Sequence, residues 1–333
     1  MSTIIESDPS HRVVGLQFNK PAGEDDQSLD LKGQSSYRPS PLQYEQSPKP
    51  VGGIIIACPH SGRYYPPELL EASRLDQLTL RRSEDAFVDI LFNKAPSLGA
   101  DLLVSTFARA FVDLNRSPGE LDPQLIRDVL PSDLEAHSDR VKAGLGVIPR
   151  TVGEGMAIYK TQLDRHVAEA RLAEIHEPWH RFIETCITRA VQRNGAAVLV
   201  DCHSMPTKAS GNPSCDIVLG NRFGASCAPL VMNEAYNYFR NAGLKVVRNI
   251  PYAGGYTTRR HGQTSKHHHV LQIEINRSLY MVEGALTLRP EFQSVQDIMS
   301  GFILRLAEVS VLLCRRTSVV SNNGQRFGLK SGF

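Results

Sequence analysis

Gly53-Ile54-Ile55-Ile56-Ala57-Cys58-Pro59-His60-Ser61-Gly62 decides how the chain is read. The run from Gly53 to Cys58 carries no charge and three consecutive isoleucines, the pattern of a strand buried on both faces. Pro59 ends it, and a histidine follows at once. A second run of the same kind spans residues 196–201, follows the helix stop Asn194-Gly195, and leads into Cys202-His203-Ser204. Two imidazoles therefore leave the ends of two core strands.

Working outward, short apolar runs at 101–105, 109–113, 216–219, 245–247 and 270–275 read as further strands. Longer periodic stretches at 80–94, 156–175, 179–193, 225–242 and 294–313 read as helices, with Pro178 breaking or kinking the chain between two of them. Strands alternating with helices predict an α/β fold, a three-layer α/β/α sandwich around a mixed, largely parallel sheet. Ligands of such sheets sit beyond the carboxyl ends of the strands, where His60 and His203 fall.

The flanks differ. Residues 1–48 are polar and rich in Ser, Pro and Gln, and are expected to form a mobile N-terminal arm with a short strand at 13–18. Residues 49–314 form a single α/β catalytic domain, and 315–333 a flexible tail. Across 333 residues, 37 Lys+Arg against 35 Asp+Glu leave a net charge of +2, which argues against a strongly electrostatic nucleic-acid or membrane binder. No run of eighteen apolar residues exists, and Met1 to Ser10 lack a basic-then-apolar signal layout. The six cysteines show no C-x-x-C pair and read as reduced, mostly buried thiols in a cytoplasmic protein.

Zinc takes His nitrogens and carboxylates, and a catalytic zinc keeps one position open for water. Either histidine alone could simply cap a strand by hydrogen bonding to the backbone; two in equivalent positions favour a metal. The third ligand should be an acid. Glu84 and Asp85 follow Ser83 at an expected helix start, where acids also suit the helix dipole, so spacing alone does not choose between them. In Gln272-Ile273-Glu274-Ile275-Asn276, alternation places Gln272, Glu274 and Asn276 on one face. An acid within an apolar strand needs a partner or a function, and Glu274 is either a general base or half of a structural ion pair. Arg109, the Asn115-Arg116 pair and the glycine-flanked Arg259 suit a small acidic substrate, because a guanidinium binds carboxylates bidentately; the alternative is solvated surface charge, which is what most arginines are. His267-His268-His269 is weak evidence for metal by itself.

Taken in order, Pro59-His60-Ser61-Gly62 with Pro66-Pro67, Asp85…Val88-Asp89, Val112-Asp113-Leu114-Asn115-Arg116, Asp201-Cys202-His203-Ser204, Gly254-Gly255-Tyr256…Thr258-Arg259…Gly262 and His269…Gln272-Ile273-Glu274…Tyr280-Met281 resemble the N-formylglutamate amidohydrolase family. The resemblance runs from residue 54 to about 283. It implies a fold similar to zinc carboxypeptidases and aspartoacylase-like deacylases. It implies Zn2+ on His60, Asp85 and His203, with Glu84 as the alternate acid, and Glu274 as general base. Asn115, Arg116 and Arg259 would hold substrate carboxylates, and Arg109 or His269 would assist at the oxyanion. The implied reaction is hydrolysis of a small acidic N-acyl amino acid such as N-formyl-L-glutamate. The wide spacing of His60 and Asp85 departs from the carboxypeptidases, whose first His and acid share one loop. Two other classes compete. A formiminoglutamate hydrolase of the arginase type wants Asp-x-His-x-Asp, and Asp201-Cys202-His203-Ser204-Met205 lacks the second Asp. A non-catalytic binding protein on a hydrolase scaffold would be expected to lack a ligand or the base, and none is missing. The oligomeric state is left open.

Overall fold

The computed structural model describes residues 38–129, 138–153, 155–210 and 215–324. The fold belongs to the unit that begins at Pro39. Its sheet is built from β1 (Leu42–Glu45), β2 (Ile54–Cys58), β3 (Asp101–Ser105), β4 (Ala197–Met205), β5 (Ile217–Gly220), β6 (Val246–Arg248) and β7 (His268–Asn276). In space the order is β1-β3-β2-β4-β7-β5-β6. The four middle neighbours β3, β2, β4 and β7 run parallel; β1 is antiparallel to β3 and β5 to β7. The mixed, mostly parallel sheet is thus as expected.

Alternation along β2 explains the layers. Ile54, Ile56 and Cys58 pack with Phe239 of α2 (Pro229–Asn241) and with Phe302 and Leu306 of α4 (Phe292–Gly324). Ile55 and Ala57 face the other way, onto Trp179, Ile183 and Ile187 of α1 (Glu177–Asn194). Each fully buried aliphatic side chain contributes about 1.5–3 kcal/mol relative to exposure, which fixes β2 at the centre. A shorter helix, α3 (Tyr256–His261), lies just before β7. No helix among the described residues is long and apolar enough to cross a membrane. Cys58, Cys186, Cys202, Cys215 and Cys227 are buried free thiols.

Several expected elements differ. The periodic stretch 80–94 is not one helix. Only Gln77–Leu80 and Val88–Leu91 are α-helical; a 3₁₀ turn at Arg81–Ser83, extended Glu84 and Phe87 at φ 65° separate them. Tertiary bonds override the periodicity there: Asp85 N donates to His60 O at 3.0 Å, and Ser61 Oγ donates to Asp85 O at 3.1 Å. Residues 109–113 are turns rather than a strand. Their apolar side chains are buried as a strand's would be, but the backbone is satisfied by bonds such as Phe111 N to Ala108 O and Asp113 N to Val147 O. In 156–175 only Arg165–Arg171 is α-helical; Met156–Ala157 pairs with Thr151–Val152. The chain then passes through a π-helical turn, Leu172–His176, straight into α1. Pro178 falls in the first turn of α1, where a missing N–H costs little, so it does not break the chain.

The expected arm is too long, because β1 lies within 1–48. Tyr44 and Ser47 are tied to Asp101 by a hydroxyl bond of 3.0 Å and an amide bond of 3.0 Å. Residues 1–37, including the proposed strand at 13–18, lie outside the described residues. The expected flexible tail begins too early, since α4 continues to Gly324; residues 325–333 lie outside the described residues.

Candidate active site

Parallel pairing of β2 with β4 and of β4 with β7 brings three distant stretches of chain to one place. His60 follows the end of β2, His203 lies near the end of β4, and Glu274 sits directly across from His203 in the β4–β7 register. Partners in register point to the same face, so Glu274 is held beside His203 by backbone geometry alone. The extended segment at Glu84-Asp85 then drops Asp85 onto both histidines.

Three atoms converge. His60 Nδ1 lies 3.2 Å from Asp85 Oδ2, His203 Nδ1 lies 3.0 Å from the same oxygen, and the two Nδ1 atoms are 3.1 Å apart. All three residues are buried. The opposite ring nitrogens are engaged elsewhere. His60 Nε2 meets Asp113 Oδ1 at 2.7 Å. His203 Nε2 lies 3.1 Å from Asp201 Oδ2, a buried carboxylate with no other hydrogen-bond partner among the described residues. A carboxylate at each Nε2 favours a proton there, and loss of the protons from Nδ1 would leave two nitrogen lone pairs and a carboxylate oxygen facing one another. Such an arrangement could hold a cation at its centre. Two imidazoles and a carboxylate are the donor set of an open zinc site, and the spacing is near the ~3.3 Å edge of a zinc tetrahedron. The surrounding carboxylates favour positive charge at this point, whether a proton on Nδ1 or a cation that displaces it. Although burial opposes it, the carboxylates of Asp201 and Asp85 hold His203 well above the usual imidazole range. Asp85, against its own burial, is held well below the usual carboxylate range by bonds from His203 and His60.

The two acids differ in where each side chain goes. Asp85 Oδ1 accepts from Arg277 Nη2 at 3.1 Å, which leaves Oδ2 for the histidines. Arg277 also donates to Glu84 O and Ser204 Oγ. The Glu84 carboxylate turns away, accepting from Tyr65 Oη at 2.7 Å and from Arg81 Nε at 3.1 Å.

Glu274 is buried and accepts from Gln272 Nε2 at 2.9 Å. Burial, partly offset by His203, pushes it up to about 7. A carboxyl that titrates near neutrality beside a cation site is suited to moving a proton. Arg109 Nε donates to Asp113 Oδ2 at 2.9 Å, and its charge acts on both Asp85 and Glu274.

Next to this cluster opens a cavity of ≈ 360 Å³, with Asn115, Arg116, Gly255, Tyr256 and Arg259 in its wall. Asn115 joins the two: its Nδ2 lies 3.0 Å from His203 Nε2, and its Oδ1 accepts from Thr257 N at 2.9 Å. A side chain at Gly255 would collide with the Asn115 carboxamide, so only glycine permits that approach. Arg116 is buried, donating through Nε to Leu145 O at 2.9 Å, and burial pushes it down to about 10. The loop is buttressed from behind. His180 Nε2 meets Leu114 O and His176 Nε2 meets Arg116 O, both at 2.9 Å, and His180 Nδ1 meets His261 Nε2 of α3 at 2.9 Å.

His269 is not brought into the site. It lies near the start of β7, five residues and about 17 Å of strand before Glu274. Alternation also turns it to the opposite face, where its Nδ1 accepts from Ala228 N at 3.3 Å. Asp113 and Arg277 were overlooked as site residues in the sequence. For Asp113 a signal existed, because metal-binding histidines usually pair their second nitrogen with a carboxylate. Arg277 carries no such signal, since nothing local ties it to Asp85.

The fold and site together define an α/β protein with three donors that could hold a cation and a buried carboxylate at the carboxyl ends of its parallel strands. The family model for N-formylglutamate amidohydrolase matches residues 52–281, and the chain belongs to that family. The N-formylglutamate deformylase of Pseudomonas aeruginosa is 30% identical over 239 residues, covering 70% of this chain and 83% of that protein. The protein of the same name from Pseudomonas putida is 29% identical over 240 residues, covering 69% and 82%. Among solved structures, an N-formylglutamate amidohydrolase from Ralstonia eutropha JMP134 superposes with a TM-score of 0.77 at 30% identity, covering 84% of this chain and 99% of that one. A protein from Agrobacterium tumefaciens, at 19% identity and a TM-score of 0.57, shares the fold.

Proposed function

We propose that this protein is a zinc-dependent amidohydrolase that cleaves N-formyl-L-glutamate to formate and glutamate. The observation that carries the reading is the convergence of three lone-pair donors, from His60, Asp85 and His203, next to a buried Glu274 whose carboxyl titrates near neutrality. Both named Pseudomonas relatives are N-formylglutamate deformylases, which supports the substrate.

His60, Asp85 and His203 would hold the zinc. When bound, the metal would supply a Lewis acid that acidifies water and polarises a carbonyl. Glu274 takes a proton from the attacking water and returns it to the leaving amine. Arg109, whose charge acts on both Asp85 and Glu274, would stabilise the developing oxyanion. Arg116 and Arg259 hold substrate carboxylates, and Asn115 links their cavity to His203. Asp113 keeps His60 in the tautomer whose Nδ1 carries the lone pair. The buried free thiols support a reducing, cytoplasmic setting.

The test is direct. Purified protein supplied with zinc and N-formyl-L-glutamate should release formate and glutamate in equal amounts. A chelator should stop the reaction and added zinc restore it. Absence of formate overturns the reading, and turnover indifferent to chelation overturns its metal.

A further inference from the structure

One transverse row of the sheet runs Val247, Val218, Glu274, His203, each directly across from the next on β6, β5, β7 and β4. Partners in register share a face, so two valines continue the line of Glu274 and His203. Tyr252 covers the apolar half of that row. With Val247 it packs on Val218, Met205 and Cys215. Met205 lies two residues beyond His203 on β4 and therefore faces the same way. The ring thus rests on the strand next to that of Glu274, a backbone spacing of about 4.8 Å.

The segment that carries Tyr252 is pinned on both sides. Before it, Asn249 N donates to Leu219 O at 2.8 Å, and Asn249 Oδ1 accepts from the amides of Asn221 at 2.9 Å and Phe223 at 3.3 Å. After it, Ala253 O accepts from Arg222 N at 2.7 Å, and Gly255 N donates to Gln272 Oε1 at 2.8 Å. A Cβ on Gly220, the register partner of Gln272, would stand 2.8 Å from the Ala253 carbonyl carbon, so the segment touches the sheet there. Residues 249–255 therefore cross from β5 to β7 over the face that holds Glu274. Their last two glycines enter the cavity wall.

The Tyr252 hydroxyl has no use within this packing. The side chain is partly buried, yet Oη makes no hydrogen bond to any described residue. The charges that act on it most are those of Glu274, Arg109 and Asp85, and it bonds to none of them. Burial, then the Glu274 charge, raises it above the usual phenol range, so it keeps its proton at neutral pH and can donate.

We propose that Tyr252 is a catalytic residue whose hydroxyl donates a hydrogen bond to the acyl oxygen of the substrate as that oxygen gains charge. The inference rests on the amidohydrolase reading above. When water adds to the acyl carbon, the carbonyl becomes an alkoxide, and Tyr252 stabilises it without giving up its own proton. Glu274 carries the proton from the water to the leaving nitrogen. The carbonyl re-forms as the C–N bond breaks. Arg109 supplies charge at that oxygen and Tyr252 a directed donor.

The competing role is that of a ring which only covers Val218 and Met205. Tyr252→Phe separates the two, because it keeps the ring and removes one oxygen. With zinc-supplied protein and N-formyl-L-glutamate, kcat should fall about 10²-fold, the lower end of the range for one oxyanion donor, since Arg109 remains. KM should stay within about twofold, because the bond strengthens only in the transition state. Zinc content and the thermal unfolding midpoint should match wild type. A kcat within about twofold of wild type would reduce Tyr252 to a cover and overturn the assignment. So would a loss confined to KM, or one accompanied by lost zinc or a lowered midpoint. In each of these cases wild-type protein still releases formate, and the amidohydrolase reading stands. Wild-type protein that releases none would overturn that reading and the role of Tyr252 with it.

Discussion

Asp85 and Glu84 are adjacent acids with opposite fates, and the difference lies in what each oxygen meets. Arg277 occupies one Asp85 oxygen and leaves the other facing two imidazoles, whereas Tyr65 and Arg81 consume the Glu84 carboxylate. Asp85→Ala should therefore lose zinc while Glu84→Gln keeps it, by elemental analysis of the purified proteins. The reverse pattern would show that the wrong acid was chosen. Asp113 acts one bond further out. Asp113→Asn keeps the shape but removes the charge facing His60 Nε2, and should weaken zinc binding by about 10- to 100-fold in competition with a chelator. Unchanged affinity would assign Asp113 to packing alone. His60, His203 and Glu274 were legible because each breaks an apolar strand pattern. The Asp113 partnership was not, because it depends on a turn that the apolar run at 109–113 disguises as a strand.

At the scale of elements, alternation in β7 showed that Gln272, Glu274 and Asn276 share a face, and the structure agrees. Register is a different matter. That Glu274 lies opposite His203 follows from pairing between strands some seventy residues apart, which no local pattern encodes. The stretch 80–94 failed for a related reason. Its spacing suits a helix, but bonds with His60 and Ser61 tie Asp85 down just after extended Glu84, and the helix gives way. Turn strain was equally invisible. Phe223, exposed and at φ 55°, packs on little that it would lose. Phe223→Gly should raise stability by about 1 kcal/mol, because glycine enters the left-handed region without the Cβ penalty. Urea unfolding measures this, and a lower midpoint would show that the Phe223 side chain contributes more than its exposure suggests.

Across the whole molecule, three buried histidines join α1 and the turn before it, α3 and the 114–116 loop, so the basic cavity wall is anchored to the helical layer. Burial first, then the charges of His176 and His261, hold His180 well below the usual imidazole range; burial holds His261 at about 3. These imidazoles stay neutral when folded but take up protons below about 6.5 when unfolded. Stability is therefore complete above 6.5 and is lost as pH falls toward the folded values. Each such histidine should cost about 2 kcal/mol between pH 7 and pH 5. His261→Gln should flatten that slope in urea titrations, and an unchanged slope would place the acid sensitivity elsewhere. The architecture thus brings three candidate ligands and the proposed base together from strand ends and anchors a basic cavity beside them. The division of labour between ligands and base is tested most directly by formate release from N-formyl-L-glutamate by zinc-supplied Glu274→Gln beside wild type. The amide keeps the shape of the side chain but cannot accept the proton. With zinc content and thermal unfolding matched to wild type, the variant should turn over about 10²- to 10⁴-fold more slowly. Turnover close to wild type would contradict the account and remove Glu274 from the chemistry.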